Sequence, residues 1–90
     1  MSKKIMVVCG NGLGSSLMME MAVKEVCNKN DFLASVDHED LSSAQSSTAD
    51  IWVAANDIGQ QLISMGKENV VCLSNIFDQE EIKNQLSTYF

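Results

Sequence analysis

Ile5-Met6-Val7-Val8 is an unbroken apolar run between Lys3-Lys4 and Cys9-Gly10, the pattern of a strand buried on both faces of a parallel sheet. A helix follows. Leu17, Met18, Met21, Ala22 and Val26 recur at helical spacing as its inward stripe, Ser15 or Ser16 can cap it, and Glu20 is placed to pair with Lys24 on the outer side. Met18 and Met21 are then packing residues, and Met19, off that stripe, is the one left to meet a partner. Asn28 to Asp31 reads as a turn. From Phe32 to His38 the chain alternates, with Phe32, Ala34 and Val36 on one face and Ser35 and Asp37 on the other, as in an edge strand. The serine-rich stretch from Asp40 to Thr48 suits a loop or short helix. Asp50-Ile51-Trp52-Val53-Ala54-Ala55 then predicts a third, central strand. Asp57 and Gln60 stand at capping-box spacing before a helix that carries Ile58, Leu62 and Met65 inward and ends at Gly66. Asn69 to Leu73 is a fourth strand, and Asp78 with Glu81 repeats the capping pattern for a last helix with Ile82, Leu86, Tyr89 and Phe90 on one face.

The alternation predicts an α/β fold: one domain over residues 1–90, built on an open four-stranded parallel sheet in the order 2-1-3-4. Right-handed crossovers put helices on both faces, in the manner of Rossmann-like and flavodoxin-like sheets. A chain of 90 residues with 46% hydrophobic content has material for one core. In such sheets ligands gather outside the carboxyl ends of the strands, where the strand order reverses. Cys9 stands at such an end, beside the expected Asn56-Asp57 loop. His38 and Glu39, and Ser74 and Asn75, are expected on the same rim.

Three of the five glycines fall in Cys9-Gly10-Asn11-Gly12-Leu13-Gly14-Ser15-Ser16, and the chain has no proline. Glycines allow consecutive backbone N–H groups to converge, and the following helix aims its positive end at the same point, so an oxyanion would sit there. A cysteine in that place is a candidate nucleophile, because a helix N-terminus favours thiolate over thiol. The loop lacks the GKS or GKT ending of a nucleotide P-loop; the first lysine after it is Lys24. Its glycines run GxGxG rather than the dinucleotide GxGxxG. A cysteine-dependent phosphatase would need an arginine six positions after the cysteine, and that position is Ser15. Backbone amides and hydroxyls alone can hold a phosphoryl group without driving its hydrolysis, which suits a carrier. A small phosphatase and a non-covalent anion- or nucleotide-binding module stay open as alternatives.

A net charge of −6 and a pI near 4.4 speak against a nucleic-acid partner. The apolar runs are of strand length, so neither a membrane span nor a signal peptide is expected. Cysteines 9, 27 and 72 have no metal-ligand spacing and suggest no disulfide framework, so neither metal nor cofactor is expected and a reducing cytoplasm fits. Cys27 and Cys72 read as core residues. His38, the single histidine, reads as an exposed residue at a strand end. Asp57 is read as a helix cap, and Glu80 and Glu81 as charges that favour a helix dipole.

At Cys9-Gly10-Asn11-Gly12-Leu13-Gly14-Ser15-Ser16, preceded by a Lys-Ile-Met-Val-Val strand and followed by a Met-rich helix, the chain resembles the IIB component of the bacterial phosphoenolpyruvate-dependent sugar phosphotransferase system. The likeness is greatest to the ascorbate-type branch and its galactitol-like relatives. The motif covers the first quarter of the chain; beyond Val26 the likeness is one of length and βα order. The resemblance implies that Cys9 accepts a phosphoryl group from a phosphohistidine of a IIA component and passes it to a sugar, ascorbate or a related one, held by the membrane component IIC. It also implies that Gly10, Asn11, Gly12, Leu13, Gly14, Ser15 and Ser16 cradle the phosphate. The chain would then be a cytoplasmic phosphotransferase, drawn to the inner face of the membrane through IIC.

Overall fold

The leading apolar run forms β1 (Lys3–Cys9), and in the computed structural model, which describes residues 3–9 and 15–90, every other element is arranged around it. Chain order continues with α1 (Ser15–Lys29), β2 (Ala34–Asp40), α2 (Leu41–Ala44), β3 (Ile51–Ala55), α3 (Asn56–Ser64), β4 (Val70–Leu73) and α4 (Gln79–Leu86), closed by a 3-10 turn over Ser87–Tyr89. The four strands form one parallel sheet in the order β2-β1-β3-β4, as the alternation predicts.

Alternation along β1 divides the core. Ile5 and Val7 face a cluster shared with α1 and α4, through Met19, Val23, Val26, Ile82 and Leu86. Met6 and Val8 face the other way, into a cluster with Ala44 of α2 and Leu62 of α3. Both faces are covered, which is why the central strands read as continuous apolar runs.

The phase of α1 differs from the expected one. Val26 and Cys27 are buried and Ala22 packs against the same cluster, as expected, but Met19 and Val23 join them, whereas Leu17, Met18 and Met21 are 49%, 54% and 61% exposed. Both sets satisfy helical spacing, and at about 100° per residue they lie on opposite sides of the helix. The surface on which α1 packs selects between them, and that is a tertiary property. Met19 is therefore core, and Met18 and Met21 are surface.

Smaller shifts follow. Strand β2 begins two residues later than expected, at Ala34, so His38 and Glu39 lie within it. Helix α3 has Ala55 at its N-cap with no side-chain cap, and Asp57 sits inside its first turn. The helix ends at Ser64, and Gly66, at φ +90°, turns the chain out of it. Asp78 does cap α4, accepting from the N–H groups of Glu80 and Glu81 at 3.0 and 3.3 Å. Tyr89 belongs to the terminal turn, and Phe90 stacks on Phe32 with centroids 4.8 Å apart.

Candidate functional site

Cys9 is the last residue of β1 and is half-buried. Its register partner is Asp40, the last residue of β2, and on its other side β3 ends at Ala55. Parallel pairing thus gathers the ends of β1, β2 and β3 on one rim, with Asn56 and Asp57 opening α3 directly after β3, as expected at the reversal of strand order. Ser74 and Asn75 follow β4 at the same end. Gly10, Asn11, Gly12, Leu13 and Gly14, and the side chains of Ser15 and Ser16, lie outside the described residues.

The backbone of Ser15 opens α1, whose first turn carries no carboxylate. Helix α3 has Asp57 in its first turn, and α4 has Glu80 and Glu81 there with Asp78 as its cap. Those two helices meet the positive ends of their own dipoles with carboxylates. Among the three long helices described, only α1 has a first turn without a carboxylate.

Two residues back from the register partner of Cys9, His38 stands on the α1 side of the sheet. Its Nδ1 lies 2.6 Å from Oε1 of Glu20. With the carboxylate accepting, Nδ1 carries the proton. Glu20 also pairs with Lys24 at 3.0 Å, and its side chain is only 11% exposed. Its hydrogen bond to His38, and then the nearby Lys24 ammonium, hold the Glu20 carboxyl below its ordinary value of 4.5, against the opposing effect of burial. The expected Glu20–Lys24 pair is present, but on the inward flank of α1 instead of the outer side. His38 is exposed, as expected, but it lies inside its strand, two residues before the end, and is bonded to Glu20. Sequence reasoning missed the cross-element pair because the buried stripe was assigned to the wrong side of the helix; Glu20 lies beside Met19 on the correct one.

Glu39 faces the opposite side of the sheet. Its Oε1 accepts from the Ser47 hydroxyl at 2.7 Å, while its Oε2 is buried with no hydrogen-bond partner among the described residues. At the end of β4, both oxygens of Glu81 are taken by the loop: Oε2 accepts from Ser74 N and Ser74 Oγ at 2.9 Å each, and Oε1 from Asn75 N at 3.0 Å. These backbone donors hold the Glu81 carboxyl below its ordinary range. Glu81 therefore closes the β4–α4 loop instead of completing a reciprocal capping box.

The other thiols differ from Cys9 in setting. Cys27 is buried in the α1 cluster, and burial pushes its thiol up. Cys72, expected in the core, is half-buried on β4, where its sulfur packs against Gly59 of α3. Neither lies at the carboxyl end of a central strand before a helix.

The family model described as "PTS system, Lactose/Cellobiose specific IIB subunit" matches residues 4–88, nearly the whole chain. The chain belongs to the IIB components of the sugar phosphotransferase system. It is similar to the ascorbate-specific EIIB component of Mycoplasma pneumoniae, with 30% identity over 92% of this chain and 90% of that one. A second relative is the ascorbate-specific EIIB component of Escherichia coli O157:H7, 30% identical over 96% of this chain and 87% of that one. Among solved structures, the lactose-specific IIB domain from Streptococcus pneumoniae superposes with a TM-score of 0.70 across 99% of this chain and 95% of that one. At 14% identity that likeness speaks to the fold. As a IIB component, the chain is part of a sugar phosphotransferase, and the family supports a phosphocarrier role. Among the described residues, no helix is long and apolar enough to cross a membrane.

Proposed function

We propose that this IIB component carries a phosphoryl group on Cys9, taken from a phosphohistidine of a IIA component and delivered to a sugar held by the membrane component IIC. The whole of residues 1–90 acts as one domain in this reading, at the cytoplasmic face of the membrane while IIC is engaged. The observation that carries it is the placement of Cys9: at the carboxyl end of a central strand, before the one long described helix whose first turn is free of carboxylates. Gly10, Asn11, Gly12, Leu13, Gly14, Ser15 and Ser16 form the phosphate cradle. The names of the similar proteins favour ascorbate, or a related acidic sugar, as the final acceptor.

In the first step the Cys9 thiolate attacks phosphorus in line, the S–P bond forms, and the N–P bond of the donor breaks with its electron pair returning to the imidazole. In the second, a sugar hydroxyl oxygen attacks phosphorus, the S–P bond breaks, and the thiolate leaves while the hydroxyl proton passes to a base on the acceptor side or to water. No amino acid of this chain needs to donate or accept a proton in the first step, which fits a loop without basic side chains. The dianion between the steps is held by backbone amides and the α1 terminus.

The test is intact-mass spectrometry after incubation with phosphoenolpyruvate, the general phosphotransfer proteins and a IIA component. Wild type should gain the mass of one phosphoryl group, removed by iodine as a thiophosphate ester should be. Cys9→Ser should gain none, while Cys27→Ser and Cys72→Ser should load as wild type does. An adduct that persists in Cys9→Ser, or none on wild type despite a phosphorylated IIA, refutes the assignment.

A further inference from the structure

Cys9 and His38 share a side of the sheet. Along β1 the side chains of Ile5 and Val7 turn toward α1, and alternation gives Cys9 the same side; along β2, Val36, His38 and Asp40 do likewise. His38 is the register partner of Val7, as Asp40 is of Cys9. Strand spacing and rise then put the Cα atoms of Cys9 and His38 about 8 Å apart. The Nδ1 of His38 is committed to Glu20, so Nε2 is the atom left to gain or lose a proton. The imidazole side chain is 39% exposed, and water can deliver that proton.

The charges around this ring come from three elements. On α1, Lys24 is bonded to the same Glu20 carboxylate. On β2, Asp37 and Glu39 face the other side by alternation, and Asp40 turns its carboxylate to the N–H of Ser43 at 2.8 Å. On β1, Lys3 and Lys4 stand at the far end, and α2, against the other face, carries no charge. With the imidazole neutral, Glu20 and Lys24 cancel; with it protonated, the three side chains carry one positive charge. Loading changes the charge beside them. The site holds one negative charge as thiolate and two as phosphocysteine, and no basic side chain occurs from Gly10 to Ser16. Asp40 and Asp57 on the rim add to the negative side. The remaining lysines stand off: Lys67 precedes β4 at the amino end of the sheet, and Lys29 and Lys83 line a groove at the far end of α1.

Resting on the carrier reading above, we infer that His38, oriented by Glu20, is a further residue of the phosphotransfer reaction: its Nε2 takes a proton from water when Cys9 is loaded, and the imidazolium offsets the added charge of the phosphoryl group. The bonds to phosphorus form and break as already described; this proton follows the charge and returns to water on discharge. Glu20 is a positioning residue, whose carboxylate fixes the tautomer of the ring and favours its protonated form. One unit charge acting across about 8 Å in a partly solvated site is worth about threefold in the loading equilibrium.

The test measures, by intact mass, the equilibrium of phosphoryl transfer between a IIA component and this chain from about pH 5.5 to about pH 8.5. The titrations of the thiol, the phosphoryl group and the donor are common to all variants, so each is read as a ratio to wild type at the same pH. Wild type should load about threefold more favourably than His38→Gln at the acid end and equally at the alkaline end. His38→Lys, a cation over the whole range, should keep the advantage at both ends. Glu20→Gln should move the onset of the advantage to lower pH. Lys83→Gln, which removes a charge away from Cys9, should match wild type throughout. The chain has a single histidine, so nitrogen NMR with only this chain labelled sees the ring directly. At intermediate pH its signals should move toward the imidazolium positions when Cys9 is loaded. A ratio of wild type to His38→Gln that is the same at every pH marks a merely structural residue and overturns the inference, as do ring signals that stay in place on loading. A wild-type chain that never loads overturns the carrier reading itself, and this inference with it.

Discussion

Glu20 holds His38 at 2.6 Å and Lys24 at 3.0 Å while only 11% of its side chain meets solvent. Its carboxyl lies below the unfolded value of 4.5, so the folded state binds this proton less readily than the unfolded chain does. The resulting stabilisation is fully present above 4.5 and is lost as pH falls through the lower folded value. Glu20→Gln should therefore be less stable than wild type near neutrality, and the gap should narrow in urea titrations carried from about pH 7 down to about pH 3. A gap that stays constant would show that the charge on Glu20 contributes nothing. Gly59 gives a second test at this scale. A Cβ there would lie 2.4 Å from Cys72 Sγ, 3.2 Å from its Cβ and 3.4 Å from its Cα. Rotation of the Cys72 side chain moves only the sulfur, so the backbone approach of α3 to β4 must also yield. Gly59→Ala should cost about 1–3 kcal/mol in urea unfolding, and less in a Cys72→Ala background, where the sulfur is gone.

The α4 N-terminus is an element whose ends are satisfied from two directions. Asp78 caps the helix from before it, and Glu81 reaches back to the loop that delivers it. Asp78→Ala should cost about 1 kcal/mol of stability, read as a lower urea midpoint at an unchanged slope. Glu81→Gln should leave the helix in place but speed amide hydrogen exchange at Ser74 and Asn75, because a neutral amide oxygen accepts more weakly than a carboxylate. The capping spacing was legible as a sequence pattern, and Asp78 obeys it. The use of Glu81 was not, since its partners lie across a loop whose path depends on where β4 ends. Helix α1 teaches the same lesson in its packing: Leu17, Met18 and Met21 compete with Met19 and Val23 for a place beside Val26 on the inward side, and local periodicity does not rank them. At Asp57 the pattern suggested a cap, but β3 runs on to Ala55 and α3 starts at Asn56, which places the carboxylate within the first turn.

For the whole molecule, the sheet is buried by two apolar clusters, one under α1 and α4 and one under α2 and α3. Ile82 and Leu62 anchor opposite faces and neither is exposed. Truncating either to alanine should remove about 2–5 kcal/mol, a large share of the roughly 5–13 kcal/mol expected for a chain of this length. Since the faces share β1 and β3, Ile82→Ala and Leu62→Ala should each shift the same single urea transition, and separate transitions would contradict one-domain behaviour. The sequence by itself determined the strands, their order and the position of Cys9 at the carboxyl end of β1. Runs such as Val7-Val8 and Ile51 to Ala55 are apolar on both sides, and such strands have no stable place except inside a covered parallel sheet. Tertiary structure alone decided the phase of α1, and with it the burial of Glu20 against His38 and the exposure of Met18 and Met21. Strand and helix periods are written into neighbouring residues, but the rotation of a helix about its own axis is set by the surface it packs on, and that surface comes from residues distant in the chain.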